Sequence, residues 1–518
     1  MKDEPGILEG PAQPAATVEP AAATASANWR VRIGLLGAPL LFALFWWLGR
    51  GLTPQGRALA GILAAVAVLW ITEAMPLAAS SLLGALLCVL LGVADIKTVL
   101  IPFADPIVFL FMGSFILAES MRLHGLDRRL AMGLLSLRMV SASPGRVVAA
   151  VGVMAALVSM WVSNTATAAM MLPLALGILR AMGGADRAAA GSSAPLAPDR
   201  LCWGVLLMVA YGASIGGIAT PVGTPPNLIG IALIRQNLSV HISFLRWMML
   251  CVPLFVVMML ALTLLLRPRA AQGVAAGGSL RRFFVQQRRD LGPWTAGQIN
   301  TLVAFAVAVV LWLVPGILAA LLPSHSPVLR GLERRLPEAA AALVAALLLF
   351  VLPTGRGRAT IDWSAAARID WGTILLFGGG LSLGGLMFKT GVADALGRNI
   401  TGLTGASSLW ALTAVCIAMA IALSELTSNT ASANMVIPVA IALAQAAGVS
   451  ALPPALGACL GASLGFMLPV STPPNAIVYG SGLVPTTRMI RAGIAVDVLG
   501  FFVLWGGLRV LCPVLGLV

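Results

Sequence analysis

Charge is the scarcest commodity in this sequence. Only 10% of its 518 residues are Asp, Glu, Lys or Arg, while 59% are hydrophobic and the mean hydropathy is +0.96. Soluble domains carry roughly 25% charged residues, so the composition excludes a soluble globular fold and puts the chain in a bilayer. Acidic residues are fewer than basic ones, 19 against 33, for a net charge of +14. The arginines sit in short loops between apolar runs, where they report membrane orientation, and no nucleic-acid partner is expected. Histidine is nearly absent: His124, His241 and His325 fall in expected loops and make no metal site. The six cysteines, Cys88, Cys202, Cys251, Cys416, Cys459 and Cys512, are scattered through apolar segments without CxxC spacing, which implies neither metal nor disulfides. Residues 1–28 lack a basic start followed by an apolar core, so they read as a disordered cytoplasmic tail and not as a signal peptide.

What is abundant is long apolar runs. A helix needs about 20 such residues to cross roughly 30 Å of hydrocarbon. That rule predicts eleven transmembrane helices, near 33–49, 58–72, 76–93, 106–122, 201–236, 246–266, 297–322, 336–353, 372–388, 451–482 and 492–515. Two further stretches do not fit. Residues 147–179 carry no charge, yet as one helix at 1.5 Å per residue they would run about 50 Å, too long for one crossing. Cut at Ser163-Asn164-Thr165, each arm is too short; the same holds for 408–446 cut at Ser428-Asn429-Thr430. Short arms meeting at a polar tip predict re-entrant hairpins over 147–181 and 408–446, because non-helical backbone at that depth needs protein or a wet cavity around it. Two tightly joined ordinary spans are the alternative at this point.

The halves repeat. "SNTATAAMMLP" at 163–173 and "SNTASANMVIP" at 428–438 match at 7 of 11 positions, and "TPVGTPPN" at 220–227 and "LPVSTPPN" at 468–475 at 6 of 8. A fainter echo links "HGLDRRL" at 124–130 with "TGVADAL" at 390–396. The expected fold is an all-α membrane protein of two inverted repeats, 29–266 and 297–518, joined by a basic cytoplasmic linker at 267–296. The TPPN spans, fifth and tenth, cross in opposite directions, which places binding elements of both halves near the midplane. Arginine placement, dense around Arg128–Arg146 and Arg281–Arg289, predicts the N-terminus inside and the C-terminus outside.

Each TPPN interrupts a spanning segment. Pro225-Pro226 and Pro473-Pro474 remove amide donors and push the preceding residues out of helix, which predicts broken helices over 201–236 and 451–482. Unwound carbonyls suit a hard cation, and half-helix N-termini suit an anion. At the tips, a Ser163 or Thr165 hydroxyl caps free amides, while Asn164 offers a donor and an acceptor together. Tips and breaks contain no Lys, Arg or His, so a dianion would be held by neutral donors and balanced by co-bound cations. They also lack the His, Asp or Cys that a membrane-embedded enzyme would need.

"SMWVSNTATAAMMLP", "VGTPPN", "SELTSNTAS" and "VSTPPN" resemble the divalent anion/sodium symporter family of dicarboxylate, tricarboxylate and sulfate carriers, over nearly the whole chain from about residue 33. The resemblance implies a homodimer with an elevator-type transport body. It implies substrate contacts at Ser163, Asn164, Thr165, Ser428, Asn429, Thr430, Thr472 and Pro473, with Thr224 and Pro225 closing the site. One sodium site would draw on Ser159, Ser163, Asn164 and Gly223, the other on Ser424, Thr427, Asn429 and Ser471; Thr427 and Ser471 depart from the small apolar residues common there. The expected function is sodium-coupled uptake of a C4-dicarboxylate such as succinate, malate or fumarate across a bacterial inner membrane. Sulfate or citrate symport and dicarboxylate exchange are alternatives, and an ion channel is a remote one. Glu73 is expected to mark a turn; Glu119, Glu425, Asp497 and Trp161 stand out as polar or aromatic groups inside or beside apolar spans without an assigned role.

Overall fold

The computed structural model describes residues 21–137, 140, 143–183, 199–267, 278–323, 326–355, 357–404 and 408–518. Among these the chain is helical apart from a two-residue ladder, Pro353–Thr354 against Arg358–Ala359. The apolar runs form the helices Ala21–Leu48, Pro54–Thr72, Leu77–Leu90, Pro106–Leu123, Phe244–Leu266, Ala296–Leu321, Glu338–Val351, Trp371–Lys389 and Thr486–Val514. Two interrupted helices, Asp199–Ile218 continued by Pro225–Leu238 and Leu452–Gly461 continued by Pro473–Tyr479, complete the expected eleven crossings. Glu73 ends its helix in a left-handed conformation (φ 51°) and makes the turn into the next.

One expectation differs from the structure. The first helix starts at Ala21, inside the stretch expected to be a tail, because the alanine-rich run before Trp29 favours helix; residues 1–20 lie outside the described residues. The linker between the halves contains a helix, Gly278–Asp290; within it only residues 268–277 lie outside the described residues. This helix is fastened to the first half. Arg128 donates to Gln287 Oε1 at 2.9 Å, and Arg129 donates to the Leu291 carbonyl at 2.7 Å with its guanidinium 4.9 Å from the Trp294 ring centre.

The faint sequence echo is a structural repeat. Gly125 and Gly391 both have positive φ, 62° and 77°, and each turns the chain into a short amphipathic helix, Leu126–Leu135 or Val392–Thr404, just before a hairpin. The hairpins are Pro144–Ser159 with Asn164–Met182, and Leu409–Leu426 with Asn429–Ala446.

Packing is reciprocal between the halves. Pro106–Leu123 lies against Glu338–Val351, and Leu77–Leu90 against Trp371–Lys389. Small residues let these backbones approach, as expected where lipid removes the hydrophobic drive between helices: a Cβ on Gly113 would sit 2.8 Å from the Ala342 carbons. Side chains such as Leu302, Val310 and Leu321 remain exposed on a hydrocarbon-facing surface. Each hairpin's first arm packs along the first part of its own broken helix. At Gly216 the approach is closest, since a Cβ there would lie 2.2 Å from the Ala156 carbonyl oxygen. Gly216→Val is expected to force this pair apart and cost about 1–3 kcal/mol by overpacking, read as a lower melting temperature of the detergent-solubilised protein.

Candidate substrate and cation site

Each hairpin tip is built by one serine and one asparagine. Ser163 starts the second arm as its N-cap, its hydroxyl accepting from the Ala166 amide at 3.3 Å; Ser428 does the same for Ala431 at 3.2 Å. Five residues before each asparagine, a serine on the preceding arm donates to its side-chain oxygen: Ser159 Oγ to Asn164 Oδ1 and Ser424 Oγ to Asn429 Oδ1, both at 2.7 Å. This clamp fixes the direction of each amide. Among the described residues neither Asn NH₂ is spent on a protein acceptor, so both are available to an anion.

The breaks are held open by the last residue of TPPN. Asn227 Nδ2 donates to the carbonyls of Gly217 at 2.9 Å and Thr220 at 2.8 Å, while Asn475 Nδ2 donates to Gly465 at 3.1 Å and Leu468 at 3.0 Å. The prolines explain why the helix stops; these asparagines explain why the unwound backbone keeps one shape. Sequence reasoning passed over Asn227 and Asn475 as site residues, although their recurrence in both TPPN copies was a usable signal.

The first expected sodium set converges. A Cβ on Gly217 would lie 2.5 Å from Asn164 Oδ1 and 3.2 Å from the Gly223 carbonyl oxygen; one on Gly223 would lie 2.5 Å from the Gly217 oxygen and 3.0 Å from that of Met160. The Asn164 amide oxygen and the carbonyls of Met160, Gly217 and Gly223 thus all lie close to the Gly217–Gly223 approach, with Ser159 bonded to Asn164. That is an all-oxygen donor set of the kind hard cations take. The Ser163 hydroxyl, by contrast, is used in capping, and its carbonyl accepts from Thr167.

In the second set, Gly465 brings Ser424 Oγ to 3.0 Å and Ser471 Cβ to 3.4 Å of a notional Cβ. The two departures from the family pattern have their hydroxyls committed elsewhere: Thr427 Oγ1 donates to the Trp70 carbonyl at 2.9 Å, and Ser471 Oγ to Glu425 Oε2 at 2.5 Å. Donating leaves the lone pairs of both hydroxyl oxygens, as well as the backbone carbonyls, at these two positions.

The expected substrate contacts come from both halves. Helix Asn164–Met182 packs on Pro473–Tyr479, and Asn429–Ala446 on Pro225–Leu238, so each tip helix meets the other half's broken helix. Ser163, Thr165 and Pro473 are exposed, Asn164, Pro225 and Ser428–Thr430 half-buried, and Thr224 and Thr472 buried. Other singled-out groups are placed elsewhere. Trp161 packs against Phe244 and Phe305, and Glu119 pairs with Arg122 at 2.6 Å.

Inverted halves, each giving a capped hairpin and a broken helix to a shared polar centre, define a multi-pass membrane transporter. The family and sequence comparisons agree. The family described as "Sodium:sulfate symporter transmembrane region" matches residues 27–517. The "Sodium-dependent dicarboxylate transporter SdcS" of Staphylococcus saprophyticus is 32% identical over 481 residues, 91% of this chain and 89% of that protein. An "Uncharacterized transporter" of Haemophilus influenzae is 34% identical over 452 residues, covering 85% and 88%. Among solved structures, the Alcanivorax borkumensis YdaH transporter aligns with a TM-score of 0.47 and 14% identity over 80% of this chain and 85% of that one. The chain belongs to the sodium:sulfate symporter family.

Replacing Asn227 or Asn475 by Leu would strip two buried carbonyls of their donor. Each variant is expected to lose about 1–3 kcal/mol of stability, checked by thermal unfolding in detergent, with Ser163→Ala losing about 1 kcal/mol for its cap.

Proposed function

We propose that this protein is a sodium-coupled symporter of C4-dicarboxylates such as succinate, malate or fumarate, with elevator-type alternating access. The observation that carries the reading is the pair of matched Ser–Asn clamps at 2.7 Å, set in tips and breaks that contain no basic side chain. A dianion held by two amides and the free N–H groups of helices Asn164–Met182 and Asn429–Ala446 has little positive charge to face. Sodium in the adjoining oxygen-lined spaces supplies it, so anion binding depends on the cation. Neutral donors also allow release, which a buried arginine would resist at its own desolvation cost. The name carried by the Staphylococcus relatives, sodium-dependent dicarboxylate transporter, fits this substrate class.

In this reading Ser163, Asn164, Thr165, Ser428, Asn429 and Thr430 touch the substrate with Thr224, Pro225, Thr472 and Pro473. Backbone and side-chain oxygens around Ser159, Asn164 and Gly223, and around Ser424, Thr427, Asn429 and Ser471, take sodium. The protein works as a homodimer in the bacterial inner membrane with its N-terminus in the cytoplasm. The conformation is then inward-facing: the first tip is largely exposed while Pro226–Ile234 of helix Pro225–Leu238 are buried. The second tip bonds to Trp70, two residues from the cytoplasmic end of Pro54–Thr72. On the opposite side, Arg235 at the end of the broken helix grips Asp105 at 2.6 and 2.7 Å, tying the transport body to the scaffold helix Pro106–Leu123.

Proteoliposomes loaded with purified protein are expected to take up labelled succinate only under an inward sodium gradient, with unlabelled malate and fumarate competing better than sulfate or citrate. Uptake equal with and without sodium rejects the coupling. Asn164→Ala and Asn429→Ala are each expected to reduce uptake at least about tenfold while leaving folded protein, the cost of one hydrogen bond to a charged group.

A further inference from the structure

At the end of the molecule where helix Pro225–Leu238 finishes, the two bodies are fastened by charge across an open gap. Asp105 caps helix Pro106–Leu123, its Oδ1 accepting from the Ile107 amide at 2.9 Å. The same carboxylate receives Arg235 from the last turn of Pro225–Leu238, with one guanidinium nitrogen reaching Oδ1 at 2.6 Å and Oδ2 at 2.7 Å. A second acid, Glu338, opens the neighbouring helix Glu338–Val351, and His241 Nε2 comes to 3.7 Å from its Oε2. Two scaffold helices that pack on each other thus begin at a carboxylate, and each carboxylate meets a base from the chain leaving the first broken helix. Between these elements lies a cavity of about 170 Å³, lined by Ile107 and Leu110 of one helix and Leu228 and Ile231 of the other. Side-chain packing does not close this gap; the ion pairs span it.

Such a contact can hold and can also let go. Both Asp105 oxygens take charge-assisted bonds, the stronger kind, while 31% exposure of the Arg235 side chain and 23% of that of Asp105 let water screen the pair. Once parted, neither charge is stranded. Asp105 keeps the Ile107 amide and the positive end of its helix, and Arg235 stays at the negative end of its own. The more exposed His241–Glu338 contact is the weaker of the two.

The second half repeats the acid without the base. Asp370 caps Trp371–Lys389 with both oxygens taken by Thr373, and Leu483 stands where Arg235 does when the two TPPN motifs are aligned. In an inverted repeat the two end states exchange the roles of the halves, so a contact made in one half only sets those states apart in energy.

We infer that the Arg235–Asp105 pair is a one-sided latch: it favours the inward-facing conformation over its alternate and must open each time the transport body moves. This rests on the alternating-access reading above, and the test therefore reads conformation apart from sodium coupling. In the full-length protein in proteoliposomes, spin labels are attached through Lys97→Cys on helix Ile96–Leu100, ahead of Asp105, and Ser239→Cys, just past Pro225–Leu238; both positions are exposed and the six native cysteines are buried. Asp105→Asn removes the charge and keeps the helix cap, and Arg235→Gln removes the other partner. Each is expected to raise the share of a second label-to-label distance about fivefold over the latched protein, and the double variant to go no further than either single one. With the alternate state more populated, the succinate concentration for half-maximal uptake from the side it faces is expected to fall by about the same factor, whereas damage to the fold alone lowers the maximal rate. Distances unchanged in both single variants overturn the latch, and so do effects that add in the double variant. Wild-type uptake that ignores sodium sinks the symport reading instead, and the label distances still decide the latch.

Discussion

A peptide group in hydrocarbon has only the protein to hydrogen-bond with, and this structure is organised around two places where the helix that would satisfy it is interrupted. Prolines create both interruptions. Asn227 and Asn475 then make them tolerable, each donating to two carbonyls that the lost helical turns leave behind. With those carbonyls fixed, the unwound stretches keep one shape. The Ser–Asn clamps solve the matching problem at the hairpin tips, where free amides and a side-chain NH₂ are left for an anion. Binding capacity is thus the residue of an incomplete accounting of backbone hydrogen bonds, kept incomplete on purpose at one depth.

Duplication explains the economy of the design. Two copies of one hairpin and one broken helix, inserted in opposite directions, place each tip helix on the other copy's broken helix. The copies are not identical, however. The first secures its unwound stretch with a neutral Thr220–Met160 bond, the second with the Glu425 carboxylate. The hydroxyls of Thr427 and Ser471, which depart from the family pattern, are turned away to Trp70 and Glu425.

The span count was legible because the bilayer imposes a length that any apolar helix must meet, and the hairpins because their runs missed that length. The glycine-led echo at Gly125 and Gly391 also held, since a left-handed turn leaves a mark in sequence. The helix within the linker was not legible: Gly278–Asp290 carries enough charge to look like loop, and its contacts come from Arg128 and Arg129 more than 150 residues earlier. No local pattern announces such a partner. Asn227 and Asn475 were visible but unread, because a proline pair draws attention from the residue that follows it.

Hydropathy and repetition therefore determined the number of crossings, the inverted halves, the family and the residues at the tips; all of these follow from short-range rules that each segment obeys alone. Tertiary structure decided which oxygen of each residue is free, that Arg235 meets Asp105 across the fold, and that Glu425 reaches the amides of Met467 and Leu468. Those outcomes depend on which distant groups arrive within about 3 Å of one another, and only the packed helices set that distance.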